Sequence, residues 1–316
     1  MDAAERDLFE AALLGAVSDT GEADVVGRLA ELGWGDALED DPQGAVSVLF
    51  EWQGRAAAAT GLLDHVLCAA LGVGPVPVVL PPFGTTAPPG RVVGDVLEVR
   101  GLGLQWGPGE APRLVVATSA DGRAGLHRCD GLAGQSISGL DPGLHLVAIS
   151  GRVPTLADAP APPGARWADA LAAGQRALAH ELVGASAGML DLAREHALER
   201  IQFGVPIASF QAVRHRLADS LVAIESARSA LDAAWEAGSA FDAAVAKAIA
   251  GRSARLVARH AQQVLAGIGF TTEHPLHRYL RRVRVLDGLL GDARSLTREL
   301  GQQLLGERGL PAILPL

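Results

Sequence analysis

Two cysteines in 316 residues, Cys68 and Cys129, are too few and too far apart for a disulfide framework or a paired-cysteine zinc cluster. Both read as reduced, structural thiols. Basic residues are in deficit as well: 27 Lys and Arg stand against 36 Asp and Glu, a net charge of −9. Long-range electrostatics of that sign repels nucleic acid and anionic lipid surfaces. The N-terminal stretch MDAAERDLFEAALL has no basic segment leading into an apolar run, so no secretory leader is expected. The most apolar stretch, AAAATGLLDHVLCAALGVGPVPVVLPP, is cut by Asp64, His65 and then glycine and proline, which rules it out as one membrane-spanning helix. These absences point to a soluble cytoplasmic protein, and 49% hydrophobic residues supply ample material for its cores.

What is present changes character twice along the chain. Residues 1–74 are rich in Ala and Leu, with apolar residues such as Leu8, Ala11, Ala12 and Val17 at helical intervals, and form an N-terminal helical domain. At GVGPVPVVLPPFGTTAPPG proline ends helix formation and a β-domain, residues 75–153, begins. Its short β-branched runs RVVGDVLEVRG, PRLVVATSA, AGLHRCDG and GLHLVAISGRV suggest a small antiparallel sheet, a partial barrel or sandwich. A second proline cluster, PTLADAPAPPGAR, returns the chain to helix, and residues 165–316 form the third domain. There Phe210, Val213, Leu217, Leu221, Ile224 and Leu231 fall on one helical stripe, and Val245, Ile249, Leu256, Val264 and Leu265 continue on the next helix. Stripes of this kind bury against neighbours, which makes a four-helix bundle the expected packing. The fold class is α+β, mostly α.

Two stretches carry the functional signal: ALERIQFGVPIASFQAVRHRLADS, residues 197–220, and QQVLAGIGFTTEHPLHRYLRR, residues 262–282. They resemble the C-terminal domain of the flavin-dependent acyl-CoA dehydrogenases, in which an Arg-x-x-Phe-Gly-x-x-Ile-x-x-Phe-Gln stretch joins two helices and a Gln-x-x-Gly-Gly-x-Gly-Phe stretch opens the last pair. The helical, β, helical order agrees. The resemblance implies FAD bound mainly to a neighbouring subunit, with Arg200 reaching its diphosphate as a guanidinium fork suits. It implies that Phe203 packs on the cofactor, that Gln202 and Gln211 hydrogen-bond it, and that Gln263 and Gly267 lie close, since a glycine admits backbone approach. The family's Gly-Gly is Ala266-Gly267 here. Read alone, Arg200 could equally be a cation favoured at a helix C-terminus; the joint spacing favours the cofactor role. Arg278, Arg281, Arg282 and Arg284 read as a solvated or inter-subunit helix face, and Glu273-His274-Pro275 as a structural turn.

The catalytic pattern is absent from both places the family uses. Such an enzyme needs a carboxylate within reach of the thioester α-proton. Counted from Gly267, the commoner base position holds Leu290 in DGLLGDAR; counted back from Gly204, the other holds Gly174 in LAAGQRAL. Asp287 and Asp292 flank Leu290 as weaker candidates. The stretch LGLQWGPGEAP displaces Trp106 from the family's flavin-contacting position, and VVLPPFGTT lacks the acid of the corresponding loop. This combination resembles the shorter, catalytically reduced subunit of α2β2 acyl-CoA dehydrogenases of steroid and cholesterol breakdown. That implies a second acyl-CoA dehydrogenase-like subunit, an acyl-CoA substrate and an electron-transfer flavoprotein as partners, with the base on the other chain. The alternatives are a non-enzymatic scaffold of the same fold and a homomeric enzyme using Asp287 or Asp292.

Overall fold

The computed structural model describes Ala11 and residues 25–104, 112–155 and 166–307. Trp106 lies outside them. Among the described residues from 25 onward the first helices are α1 (Val25–Glu31), α2 (Trp34–Asp40), α3 (Pro42–Ala56) and α4 (Leu63–Leu71). Asp41 accepts a hydrogen bond from the Gly44 N–H at 2.9 Å and caps α3, whose first residue is Pro42.

Six strands then form one sheet in the order β4-β3-β1-β2-β6-β5. They are β1 (Gly90–Val93), β2 (Val96–Leu104), β3 (Arg113–Thr118), β4 (Ala124–Cys129), β5 (Gly134–Ser136) and β6 (Leu146–Pro154). β2 and β6 pair antiparallel from Val96↔Pro154 to Leu104↔Leu146. The sheet is mixed rather than antiparallel, because β1 runs parallel to β3 through Gly90↔Ala117 and Arg91↔Thr118. β5 was not foreseen; GQS carries none of the β-branched residues that mark a strand. The proline-rich segment before β1 is built in as well, with Val79 N–H donating to Leu114 O at 2.8 Å and Leu80 N–H to Leu102 O at 2.7 Å. Alternation assigns the faces. Val79, Val115, Ala117, Leu97 and Ile149 form a small separate core, whereas Val78, Leu80, Leu114, Val116 and Leu102 join the main core with the helices.

Among the described residues the helical region contains α5 (Trp167–Glu199), α6 (Gln211–Ala237), α7 (Ala240–Leu265), α8 (Leu276–Gly288) and α9 (Ala293–Glu307). Between α5 and α6 lies a hairpin, β7 (Ile201–Gln202) with β8 (Val205–Pro206). The large-residue stripes do not mark the buried faces fully. On α6, Ile224 and Leu231 are buried, but Phe210 just before it and Leu221 are exposed. The buried face of α7 is mostly small: Ala243, Ala246, Ala250, Ala254, Val257 and Ala261, with Val245, Ile249 and Leu256 only half-buried. Small residues let the helix axes approach closely. The extreme case is the crossing of α3 and α5, where a Cβ on Gly184 would sit 2.0 Å from Glu51 O and one on Gly54 2.0 Å from Glu181 O.

Gly184→Ala is therefore expected to lower stability by about 2 kcal/mol or more, because the obstructing atoms are backbone. Gly301→Ala on α9, where nothing lies within 4 Å of the new Cβ, is expected to raise it by about 0.5–1 kcal/mol. Urea denaturation of the two variants checks both signs.

Candidate functional site

α5 ends at Arg200, whose N–H still donates to His196 O at 2.9 Å while its carbonyl accepts from Ile207 N–H at 2.8 Å. The hairpin therefore begins at the arginine. Its two turn residues, Phe203 (φ 52°) and Gly204 (φ 80°), both have positive φ, as a two-residue hairpin turn of the primed type requires. The turn thrusts Phe203 outward, 92% exposed, with Phe210 edge-on at 6.1 Å. An aromatic ring in that state has no intrachain burial to justify it.

The hairpin faces the C-terminal end of α7 and the 3₁₀ turn Ala266–Phe270. Between them lies a cavity of about 650 Å³ lined by Arg200, Gln202, Ile207, Gly267, Val264 and Ile268, and by two histidines, His196 and His274. Arg200, Gln202 and Gly267 thus line one cavity. Phe203, Gln211 and Gln263 are exposed near this region of the chain but are not among the lining residues. Nothing lies within 4 Å of a Cβ on Gly267, so the backbone there is open to approach. The preceding residue bears the strain: Ala266 sits at φ 50°, ψ −129°, a conformation that suits glycine. His196 and His274 were legible as positions, one four residues before Arg200 on a helix and the other in the second motif, but single-residue reading gave His274 only a structural role. It has that role too, accepting the Leu276 N–H at its Nδ1 at the start of α8.

The two base positions, remote in sequence, meet. Leu290 is fully buried at φ 55°, and a Cβ on Gly174 would lie 2.5 Å from Leu290 Cδ1 and 2.9 Å from Leu67 Cδ2. An apolar plug occupies the place where both reach. Gln175 donates to Leu290 O at 3.0 Å, and Lys247 reaches Leu286 O, Asp287 O and Gly291 O at 3.0, 3.0 and 3.3 Å. The turn is held from two helices. Burial pushes Lys247 down to about 8. The flanking acids are engaged: Asp287 pairs with Arg255 and accepts the Ala293 N–H at 3.1 Å, and Asp292 accepts the Arg294 and Ser295 N–H groups at the start of α9. Burial alone would raise Asp292, yet those hydrogen bonds hold its carboxyl below the ordinary range. A second cavity, about 500 Å³, opens between Phe83, the Ile137–Asp141 loop and the Arg284–Gly288 stretch.

Arg282 corrects the reading of the arginine run. It is 2% exposed, paired with Asp141 and Glu181 and donating to Ala58 O, while Arg278 and Arg284 are exposed. Period-based reading could not place it, because its neutralising partners lie far away in sequence. Glu181, buried between helices, is pushed up to about 6 by burial, against the pull of Arg282 and Gln53.

Two outcomes follow for this region. A folded-state value above the ordinary 4.5 means that the protonated form of Glu181 favours the fold, fully so below pH 4.5, and that this contribution, about 2 kcal/mol, is lost as pH rises through about 6. Denaturation of Glu181→Gln at pH 4.5 and 7.5 should show the variant improving relative to wild type by that order at the higher pH. Ala266→Gly should raise the melting temperature, gaining about 1 kcal/mol by relieving the backbone.

Residues 164–305 match the family model for the acyl-CoA dehydrogenase C-terminal domain. Acyl-CoA dehydrogenase IpdE2 of Mycobacterium tuberculosis is 38% identical over 127 residues, 40% of this chain and 40% of that protein. The human mitochondrial short-chain specific acyl-CoA dehydrogenase is 33% identical over 122 residues, 36% of this chain and 29% of that one. The matched stretch thus spans well under half the length of either relative. Along nearly the whole chain the fold matches a variant of the Tcur3481–Tcur3483 steroid ACAD, with TM-score 0.74, 27% identity and 96% of both chains covered. It also matches the ChsE4–ChsE5 complex of Mycobacterium tuberculosis, with TM-score 0.74, 22% identity and 99% of both chains covered. Residues 164–305 thus match the acyl-CoA dehydrogenase C-terminal domain, and with the motif cavity built as described and the helical, sheet and helical parts in this order, the chain as a whole has the acyl-CoA dehydrogenase fold.

Proposed function

We propose that this chain is one subunit of a two-chain, FAD-dependent acyl-CoA dehydrogenase that introduces an α,β double bond into a CoA thioester of a steroid-derived acid. The observation that carries the reading is a contrast. Leu290 packs on Gly174 and closes both places from which a base could act, whereas Arg200, Gln202, Gly267 and the outward Phe203 remain open. The steroid ACAD of similar fold is itself named for two chains, which supports a partner of the same family in an α2β2 assembly. The partner's carboxylate takes the α-proton, and an electron-transfer flavoprotein receives the electrons.

The residues present fit the diphosphate arm of FAD. The cavity offers a guanidinium, an amide and an unobstructed glycine backbone, and none of its lining residues is a carboxylate that would repel phosphate. In the assembly Arg200 binds the diphosphate, Gln202, Gln211 and Gln263 hydrogen-bond the cofactor, and Phe203 packs on it and excludes water. Bound FAD supplies the two-electron acceptor for the desaturation. Gln175 and Lys247 hold the 286–291 turn, keeping Leu290 as an apolar wall.

A homomeric enzyme using an aspartate is disfavoured, because Asp287 and Asp292 already serve Arg255 and the start of α9. A cofactor-free scaffold leaves the open cavity without a purpose. Arg200→Ala in the co-expressed two-chain assembly is expected to weaken FAD retention roughly 10- to 100-fold, the scale of a bidentate charged contact, with the assembly intact. Flavin fluorescence released on dilution measures it; unchanged retention would remove Arg200 from the site.

A further inference from the structure

The cavity at Arg200 holds two imidazoles that the motif alone does not explain. His196 stands one helical turn before Arg200, and His274 lines the same space from the turn ahead of α8. Their hydrogen bonds distinguish them. His274 accepts the Leu276 N–H at Nδ1, 3.2 Å, so its own proton sits on Nε2, and a second proton on Nδ1 would oppose that backbone donor. His277 donates from Nδ1 to His274 O at 2.8 Å and fixes the same turn. The His196 side chain has no hydrogen-bond partner among the described residues, which leaves it able to gain a proton. The charged groups around it are Arg200 and Glu199 on its own helix and His274 from the facing turn, which in turn meets His196 and His277. Burial first, then the Arg200 charge, hold His196 below its ordinary value while the cavity contains no anion. An entering anion reverses the second effect and offsets the first.

We propose that this cavity is a proton-linked diphosphate site, in which His196 becomes a second cation beside Arg200 when the ligand enters and His274 donates a neutral Nε2–H hydrogen bond. The inference rests on the reading of the cavity as the place where a dinucleotide's diphosphate is held. Binding takes up a proton, so the hold on the ligand strengthens as pH falls.

The test uses the co-expressed two-chain assembly, freed of its flavin, and ADP-ribose, whose diphosphodiester does not itself titrate between about pH 5.5 and 8, with adenosine as the phosphate-free control. Calorimetry in buffers of different ionisation heat gives affinity and proton uptake together. The expected result is ADP-ribose affinity about tenfold higher at pH 5.5 than at pH 8, the scale of one charge-assisted contact. Proton uptake near neutral pH should accompany it and be absent in His196→Gln, with adenosine far weaker. His274→Gln should weaken binding at both pH values and leave the uptake in place. Affinity independent of pH, or uptake that persists in His196→Gln, overturns the proposal; if Arg200→Ala still abolishes binding in that case, the dinucleotide reading survives without it. Failure of ADP-ribose to bind at any pH also overturns the proposal, and the dinucleotide reading is then decided separately by the flavin content of the two-chain assembly.

Discussion

One buried guanidinium ties the molecule together. Arg282 of α8 reaches Ala58 O just past α3, Asp141 in the loop before β6 and Glu181 in the middle of α5. Those partners belong to the first helices, the sheet and the long helix of the last region, so a single side chain spans all three parts. A charge taken from water this completely is tolerable only with opposite charge and acceptors around it. The triad therefore specifies a mutual arrangement more than it adds stability. Glu181 reflects the cost, titrating at about 6 rather than in the ordinary range. The glycine crossing of α3 on α5 lies at the same place, with Gly54 closing on Glu181 O. Close backbone approach and buried charge are two faces of one packing constraint.

That frame separates two sites of opposite character. Around Gly174 and Leu290 the space is apolar and filled, and the turn that carries Leu290 is held by Lys247 and Gln175. Around Arg200 the cavity sets a guanidinium, an amide and two imidazoles on an otherwise apolar lining and is open to approach, with Phe203 projecting beyond it. A chain that did all its chemistry alone would need the first site open. A chain that completes a neighbour's cofactor site needs only the second. The exposed apolar residues near it, Ile201, Phe203 and Phe270 at 61%, 92% and 75%, form a surface suited to cover by another polypeptide.

Much of the fold was legible because the signals are local. Proline clusters marked the changes from helix to strand and back, and the β-branched runs became β1 through β4 and β6. The motif at Arg200 was legible because its residues are consecutive, although the hairpin that carries Phe203 and Gly204 was not foreseen. What escaped depends on distant partners. The parallel pairing of β1 with β3, the burial of Arg282 and the meeting of Leu290 with Gly174 each join residues that no local window contains. The buried face of α7 escaped for a different reason: alanine is a weak hydrophobic signal, yet it is what allows close helix packing. Phe210 and Leu221 showed the converse, large apolar residues in a helical stripe that remain exposed in the single chain. From sequence alone, a stripe meant for the core and one meant for a partner look alike.

The central claim is that this chain shares a flavin site with a second chain and does not build one alone. The flavin content and mass of the chain, purified alone and then after co-expression with a partner of the same family, test it most directly. A colourless single chain and a yellow two-chain assembly carrying fewer flavins than polypeptides are the predicted result. A yellow homomer with one FAD per chain would contradict it.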